Sequence, residues 1–179
     1  MLQDNEVQLR DLHATDLDMV WKWRNDPDVT EFLSNLRISR LQIDVWFKSY
    51  ENGSHGRFFI VETKEGCAIG YTGVRDIDWH HRTAQMDIII GEKAHWGRGY
   101  GQSAVLALLR FAFEQLELNN VCLAVLPFND RAIRCYEKCG FNRAGFFPEK
   151  FLRRGELWQP IRMEATLTSV ALTRKMKPS

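Results

Sequence analysis

The stretch Ile88–Gln102, I-I-I-G-E-K-A-H-W-G-R-G-Y-G-Q, constrains this chain more than any other. An apolar run ends at Gly91, and a short polar hinge follows. Gly97, Gly99 and Gly101 then alternate with Arg98 and Tyr100 before a strong helical pattern begins. A strand that feeds a glycine-rich turn and then a helix offers free N–H groups and the positive end of a helix dipole to an anion. Glycines let the backbone come close and let φ turn positive. The turn therefore reads as a phosphate cradle. Its G-x-G-x-G spacing, in the middle of the chain, fits neither the P-loop, G-x-x-x-x-G-K-[ST], nor the dinucleotide fingerprint, G-x-G-x-x-G.

The rest of the chain must build a sheet and helices around that turn. With 179 residues, 45% of them hydrophobic, and 6 Trp and 11 Phe, it has material for one compact core. We place a single domain over 1–170 and expect the tail 171–179 to fray. A net charge of +1 argues against a nucleic-acid or polybasic membrane partner. No apolar run is long enough to span a bilayer, and no N-terminal stretch looks like a secretion signal. Cys67, Cys122, Cys135 and Cys139 lack metal-ligand spacing and read as reduced thiols of a cytoplasmic protein.

Periodicity predicts a strand over Val7–Leu12. A helix follows a Thr15-x-x-Asp18 capping box and stops before Pro27; a second follows a Ser39-x-x-Gln42 box and stops at Asn52-Gly53. Strands are expected over Arg57–Thr63, Cys67–Arg75 and Thr83–Ile90, with a polar aromatic loop over Asp76–Arg82. Beyond the glycine turn come a helix, a strand over Asn119–Val125, a helix over Asp130–Lys138 capped by Asn129, strand over Phe141–Phe147 and Glu149–Leu152, a turn at Arg153–Glu156, and a last strand over Leu157–Leu167. The order is β-α-α-β-β-β-α-β-α-β-β: an α/β (α+β) fold with a mixed sheet of about seven strands.

At this point the sequence resembles the GNAT superfamily of acetyl-CoA-dependent N-acetyltransferases, in the branch that includes the ribosomal-protein and spermidine acetyltransferases. The family motif [QR]-x-x-G-x-[GA] is matched by Trp96-Gly97-Arg98-Gly99-Tyr100-Gly101, with Trp in first place. Val125–Phe141, V-L-P-F-N-D-R-A-I-R-C-Y-E-K-C-G-F, looks like the second signature, N-x-x-A-x-x-x-Y-x-x-x-G-F. Trp23–Asp26, W-R-N-D, is similar to the end of the branch's first helix. The resemblance implies a sheet splayed between strands 4 and 5, with the breaks at Gly91 and Leu126-Pro127 marking the splay. It implies acetyl-CoA as co-substrate, with its pyrophosphate on the Arg98–Gln102 amides and its pantetheine arm along Ile89, Ile90 and Gly91. Asn129 would contact CoA, and Tyr136 would be the acid that protonates the leaving thiolate. On spacing alone, Tyr136 is equally a core residue; the alternative for Asn129 is an ordinary helix cap, and one side chain can serve both uses.

No base stands out. Asp87, Glu92, Asp26 and Glu31 are the carboxylates to weigh, and proton loss through water is the alternative. The pair His80-His81 lacks ligand partners at metal spacing, so no metal is expected; His80 is placed at the acceptor mouth instead. The acidic and aromatic residues of Asp26–Phe32 and Asp76–Trp79 favour a small cationic amine, a polyamine or amino sugar, bound by Asp26, Glu31, His80 and Asp87. A protein N-terminus or lysine, and a non-catalytic CoA sensor, are the alternatives. The sequence does not decide whether the protein is a homodimer.

Overall fold

The computed structural model describes residues 2–4, 6–33, 37–51 and 56–175. One eight-stranded sheet runs through it in the order β1-β2-β3-β4-β5-β6-β10-β7. Its strands are β1 (Leu2–Asp4), β2 (Val7–Asp11), β3 (Gly56–Thr63), β4 (Ala68–Asp78), β5 (Thr83–Ile90), β6 (Asn120–Val125), β7 (Asn142–Phe146) and β10 (Ile161–Thr166). All neighbours are antiparallel except β5 and β6. That parallel pair needs a crossover, supplied by α4 (Tyr100–Glu114).

Alternation along the strands sorts side chains into two layers. On β3, Phe59 and Val61 join the core under α4, which also holds Met86, Leu108 and Val121. Phe58 and Ile60 face the other way, into a second core with Tyr71, Ile89, and Val20 and Trp23 of α1 (Leu17–Asn25). Ile43 of α3 (Arg40–Tyr50) closes that second core. α5 (Asp130–Lys138) contributes Ile133 to the α4 side. The sheet is thus a central layer, and the two faces carry different helices.

Several boundaries differ from the sequence expectation for identifiable reasons. A short N-terminal strand, β1, pairs with β2 ahead of the expected first strand. The Thr15-x-x-Asp18 box does not form. A 3-10 turn over Ala14–Asp16 intervenes, with the Asp16 carboxylate accepting the His13 N–H at 2.9 Å and two bonds from Arg10 at 3.0 Å. The Ser39–Gln42 box forms as expected. Pro27 starts a further short helix, α2 (Pro27–Thr30), capped by Asp26. β4 continues to Asp78 across a register shift, so the polar loop shrinks to 79–82. The expected last strand is split at Pro160, which has no N–H to give a ladder. Its first part, β9 (Glu156–Trp158), pairs with β8 (Phe151–Arg153) in a separate hairpin. The chain then forms α6 (Leu167–Lys175) across the point where fraying was expected. The Asn52-Gly53 stop and residues 176–179 lie outside the described residues.

Candidate active site

The end of β5, the glycine turn and the start of α4 form one wall of a cavity of about 420 Å³. Gly97 and Gly99 have φ of +76° and +85°. An added Cβ at either would meet nothing within 4 Å, so they are needed for backbone conformation and not for space. Gly99 is the N-cap of α4 and brings no capping side chain, and the first turn contains no acidic residue. The first helical bond is Ser103 N–H to Gly99 C=O at 3.1 Å. The amides of Tyr100, Gly101 and Gln102 are therefore left for a ligand, at the positive end of a 15-residue helix. All three residues line the cavity, with Trp96, Gly97 and Gly99.

The cavity enters the sheet because β5 and β6 part company. They pair only at Thr83–Asn120, Ala84–Val121 and Gln85–Cys122. The expected splay between the fourth and fifth predicted strands is this divergence. Gly91 donates its N–H to Ile69 C=O at 2.9 Å. In an antiparallel ladder alternate residues bond the same neighbour, so Ile89 and Asp87 also bond β4, while the Ile88 and Ile90 amides face the gap. The Ile90 carbonyl is taken by the Trp96 indole N–H at 2.7 Å. Arg131 lies over the Trp96 ring at 4.5 Å. Trp in the first motif position thus ties the turn back to the strand.

Gly91 itself is a correction: it does not line the cavity, and its amide is committed to β4. An added Cβ there would lie 2.0 Å from Trp23 Cγ, so the glycine is required for close packing. Trp23 in turn donates to Glu92 at 2.8 Å, which removes Glu92 from the set of free bases. Arg98 is exposed in the turn, outside the lining.

On the opposite side of the gap, Asn129 caps α5 by accepting the Ala132 N–H at 3.2 Å and also lines the cavity. One side chain serves both uses. Tyr136 is half-buried, lines the cavity and contacts Phe141 at 5.8 Å between ring centroids. Burial pushes its hydroxyl pKa well above the ordinary phenol value, and Cys135, Cys139 and Asp87 push the same way. It keeps its proton through the neutral range, as an acid must.

The far end of the cavity lies on the α1 face of the sheet. Arg24, Tyr71, Arg75, Gln85 and Asp87 meet there. Arg75 Nε donates to Asp87 at 2.7 Å and the same guanidinium bonds Asp76. Burial pushes the Tyr71 hydroxyl up to about 12, moderated by the Arg24 guanidinium beside it. Arg24 Nε is buried and has no hydrogen-bond partner among the described residues. Of the expected acceptor residues only Asp87 is brought here. Asp26 caps α2 and pairs with Lys93 at 3.1 Å; Glu31 pairs with Arg154. His80 sits in the 79–82 turn between β4 and β5, its backbone N–H donating to the Asp78 carboxylate at 2.9 Å, and it does not line the cavity. Arg24, Tyr71, Arg75 and Gln85 were not singled out as acceptor residues from sequence, because they come from three separate elements. Among the described residues no group of His, Cys, Asp or Glu could hold a metal.

A family model described as an acetyltransferase (GNAT) domain matches residues 6–142. The chain belongs to the GNAT acetyltransferase family. Its relatives include the spermidine N(1)-acetyltransferase of Vibrio cholerae, 26% identical over 172 residues, spanning 96% of this chain and 98% of the relative. The spermidine N(1)-acetyltransferase of Escherichia coli K12 is 27% identical over 160 residues, 89% of this chain and 85% of the relative. A crystal structure of the Vibrio cholerae spermidine N-acetyltransferase with CoA and spermine superposes with a TM-score of 0.86 at 24% identity, covering 94% of this chain and 99% of that one. That likeness establishes the GNAT fold. The acetyl donor of a GNAT enzyme is acetyl-CoA, and the free amides of the α4 turn fit its pyrophosphate.

Proposed function

We propose that this GNAT enzyme acetylates the primary amine of a small cationic acceptor, a polyamine or an amino sugar, by direct attack in a ternary complex. The observation that carries this is the single cavity that links the α4 amides to Tyr136 and on to the Arg75–Asp87 pair. The spermidine acetyltransferases among the relatives support the polyamine class.

The residues divide the work. The Tyr100–Gln102 amides hold the pyrophosphate, and Asn129 and the gap-facing amides of β5 hold the pantetheine arm. The Ile90 N–H polarises the acetyl carbonyl. Tyr136 gives its proton to the departing thiolate. Asp87, the one carboxylate lining the cavity among the described residues, is bonded to Arg75 and orients that guanidinium. The amine loses its proton to water.

No helix among the described residues is long and apolar enough to cross a membrane. None of the four cysteines is in a disulfide, and Cys67 is exposed, which fits the reducing cytoplasm. The exposed edge strand β7 is where a homodimer would form.

Acetyl-CoA with a panel of amines, followed by thiol release, tests the activity. Thiol release that requires an amine is expected. Absence of turnover on every amine, together with absence of CoA binding, would sink the proposal.

A further inference from the structure

α5 carries two thiols one turn apart, in different surroundings. Cys135 is half-buried and lines the cavity. Cys139, the C-cap of the helix, is wholly buried, and its Sγ donates to the Gln102 C=O in the first turn of α4 at 3.8 Å. Its single S–H is also within reach of the Cys135 sulfur. The pair therefore joins α5 to the turn whose amides face the cavity. Arg131 and Lys138, one turn to either side of Cys135, line the same cavity, while Glu137 of that helix turns to Arg143 at 3.6 Å. The bond from Cys139 lowers the Cys135 thiol pKa; burial opposes it, and the charges of Lys138 and Arg131 assist it. Cys122 is the contrast: burial pushes its thiol up, and it does not line the cavity.

A cysteine that opens on a cavity among cations, with a second thiol in contact, is placed for oxidation and for resolution by its neighbour. We propose that Cys135 is a modification site for hydroperoxides, lining the end of the cavity next to α4, and that Cys139 is its resolving thiol. The Cys135 thiolate attacks a peroxide oxygen. The O–O bond breaks, the leaving hydroxide takes up the thiol's proton to become water, and Cys135 is left as a sulfenic acid. The Cys139 sulfur then attacks the sulfenic sulfur. An S–S bond forms, the S–O bond breaks, and the departing hydroxide leaves as water with the Cys139 proton. Two thiols are oxidised by two electrons, and one hydrogen peroxide is reduced to two waters. Positions i and i+4 of a helix have Cα atoms about 6 Å apart, within the span of a disulfide. The last turn is also tightened, with the Cys139 N–H on the C=O of both Tyr136 at 2.9 Å and Cys135 at 3.2 Å. The new bond takes the S–H away from the Gln102 carbonyl and so disturbs the first turn of α4. The linked form should therefore bind acetyl-CoA more weakly. That consequence rests on the donor-site reading above; the thiol chemistry does not.

The test treats the reduced enzyme with hydrogen peroxide and reads it by intact mass and peptide mapping. A loss of about 2 Da per chain is expected, with Cys135 linked to Cys139, and dithiothreitol should reverse it. Saturating acetyl-CoA should slow the reaction about tenfold or more, because it occupies the cavity that Cys135 lines. In calorimetry the linked form should bind acetyl-CoA about tenfold more weakly, and reduction should restore the affinity. Cys139→Ser should stop at the sulfenic acid, captured by dimedone, and Cys135→Ser should leave Cys139 reduced. Oxidation of Cys67 or Cys122 with Cys135 still reduced overturns the proposal. So does a wild-type Cys135 that proceeds to the sulfinic acid with Cys139 unlinked, or a rate that bound acetyl-CoA leaves unchanged. The wild-type masses decide the first two outcomes, so a variant that fails to fold does not shield the proposal. A reduced enzyme that binds no acetyl-CoA overturns the donor-site reading instead, and leaves the linked pair standing.

Discussion

The two ends of the cavity are built in opposite ways. The end we assign to the donor is mostly backbone: three amides at the start of α4, the gap-facing edge of β5 and one capping Asn. Its parts lie within the 42 residues from Ile88 to Asn129, and local sequence dictates them. The end we assign to the acceptor is mostly side chains, carried in by α1, β4 and β5 from positions 24 to 87. It is also buttressed from far along the chain. Arg153 donates to Leu33 C=O at 2.9 Å, and Trp158 and Phe32 flank Phe128 at 5.0 and 6.4 Å. Leu33 and Phe32 line the cavity, so the β8–β9 hairpin supports the acceptor wall from outside. An invariant ligand can be met by backbone; a variable one needs replaceable side chains.

This contrast can be broken by experiment. The largest effect should come from Tyr136→Phe, between the two ends: kcat falls about a hundredfold to ten-thousandfold with little change in the KM for acetyl-CoA. Because burial holds the phenol protonated, wild-type kcat should show no alkaline decline below about pH 10. An unchanged kcat in the variant would remove Tyr136 from proton transfer.

Next comes the anchor of α1. Asp16 is pushed up by burial, but its bonds from Arg10 and His13 outweigh this and hold it below the ordinary 3.8. A depressed carboxylate contributes stability above its ordinary pKa and loses it as pH falls through the folded value. Asp16→Asn should therefore cost about 1–3 kcal/mol at pH 7 in denaturant unfolding, and the difference should shrink as pH falls below the ordinary 3.8 and through the lower folded value. It should raise the acceptor KM and spare that of acetyl-CoA. The reverse split would show that α1 does not serve the acceptor end.

At the donor end, Gly99→Ala forces a side chain into left-handed backbone and should weaken acetyl-CoA about five- to thirtyfold. Gly101→Ala should change it less than about threefold, since its methyl meets only Ile90 at 3.8 Å. Equal effects at the two positions would refute the conformational role of Gly99. Smallest should be Arg154→Ala. It removes an exposed ion pair with Glu31, so the acceptor KM should move less than about twofold. A larger change would mean that the hairpin shapes the acceptor end more than its outer contacts suggest.

The same division explains what could be read in advance. β5 was placed residue for residue, because its apolar run is bounded by a turn on one side and Gly91 on the other. Asn129 and the α5 boundaries followed from cap and terminator chemistry, which is local. Arg24 was read as a residue of the first helix and of W-R-N-D, since nothing in its own neighbourhood says that Tyr71 and Asp87 will line the same cavity. Glu31 and Asp26 looked like ligands for a cation because their partners, Arg154 and Lys93, are 123 and 67 residues away. The hairpin turn at Arg153–Glu156 was legible from its Arg-Gly sequence, but β9 was merged with the last strand because Pro160 alone signals the break.

The sheet itself is divided by the same gap. Five strands from β1 to β5 and three strands, β6, β10 and β7, are joined across the middle by only three residue pairs. An extended ligand lying between them takes the place of a missing strand, giving partners to backbone groups on an interior edge. Without it the molecule is two slabs sharing a narrow seam and a crossover helix. A ligand that bridges them should make the two slabs unfold together. At a hundredfold excess over its dissociation constant, such a ligand adds about 2.7 kcal/mol to the folded state. The enzyme's tolerance of heat is therefore set in part by how well its cell keeps the donor supplied.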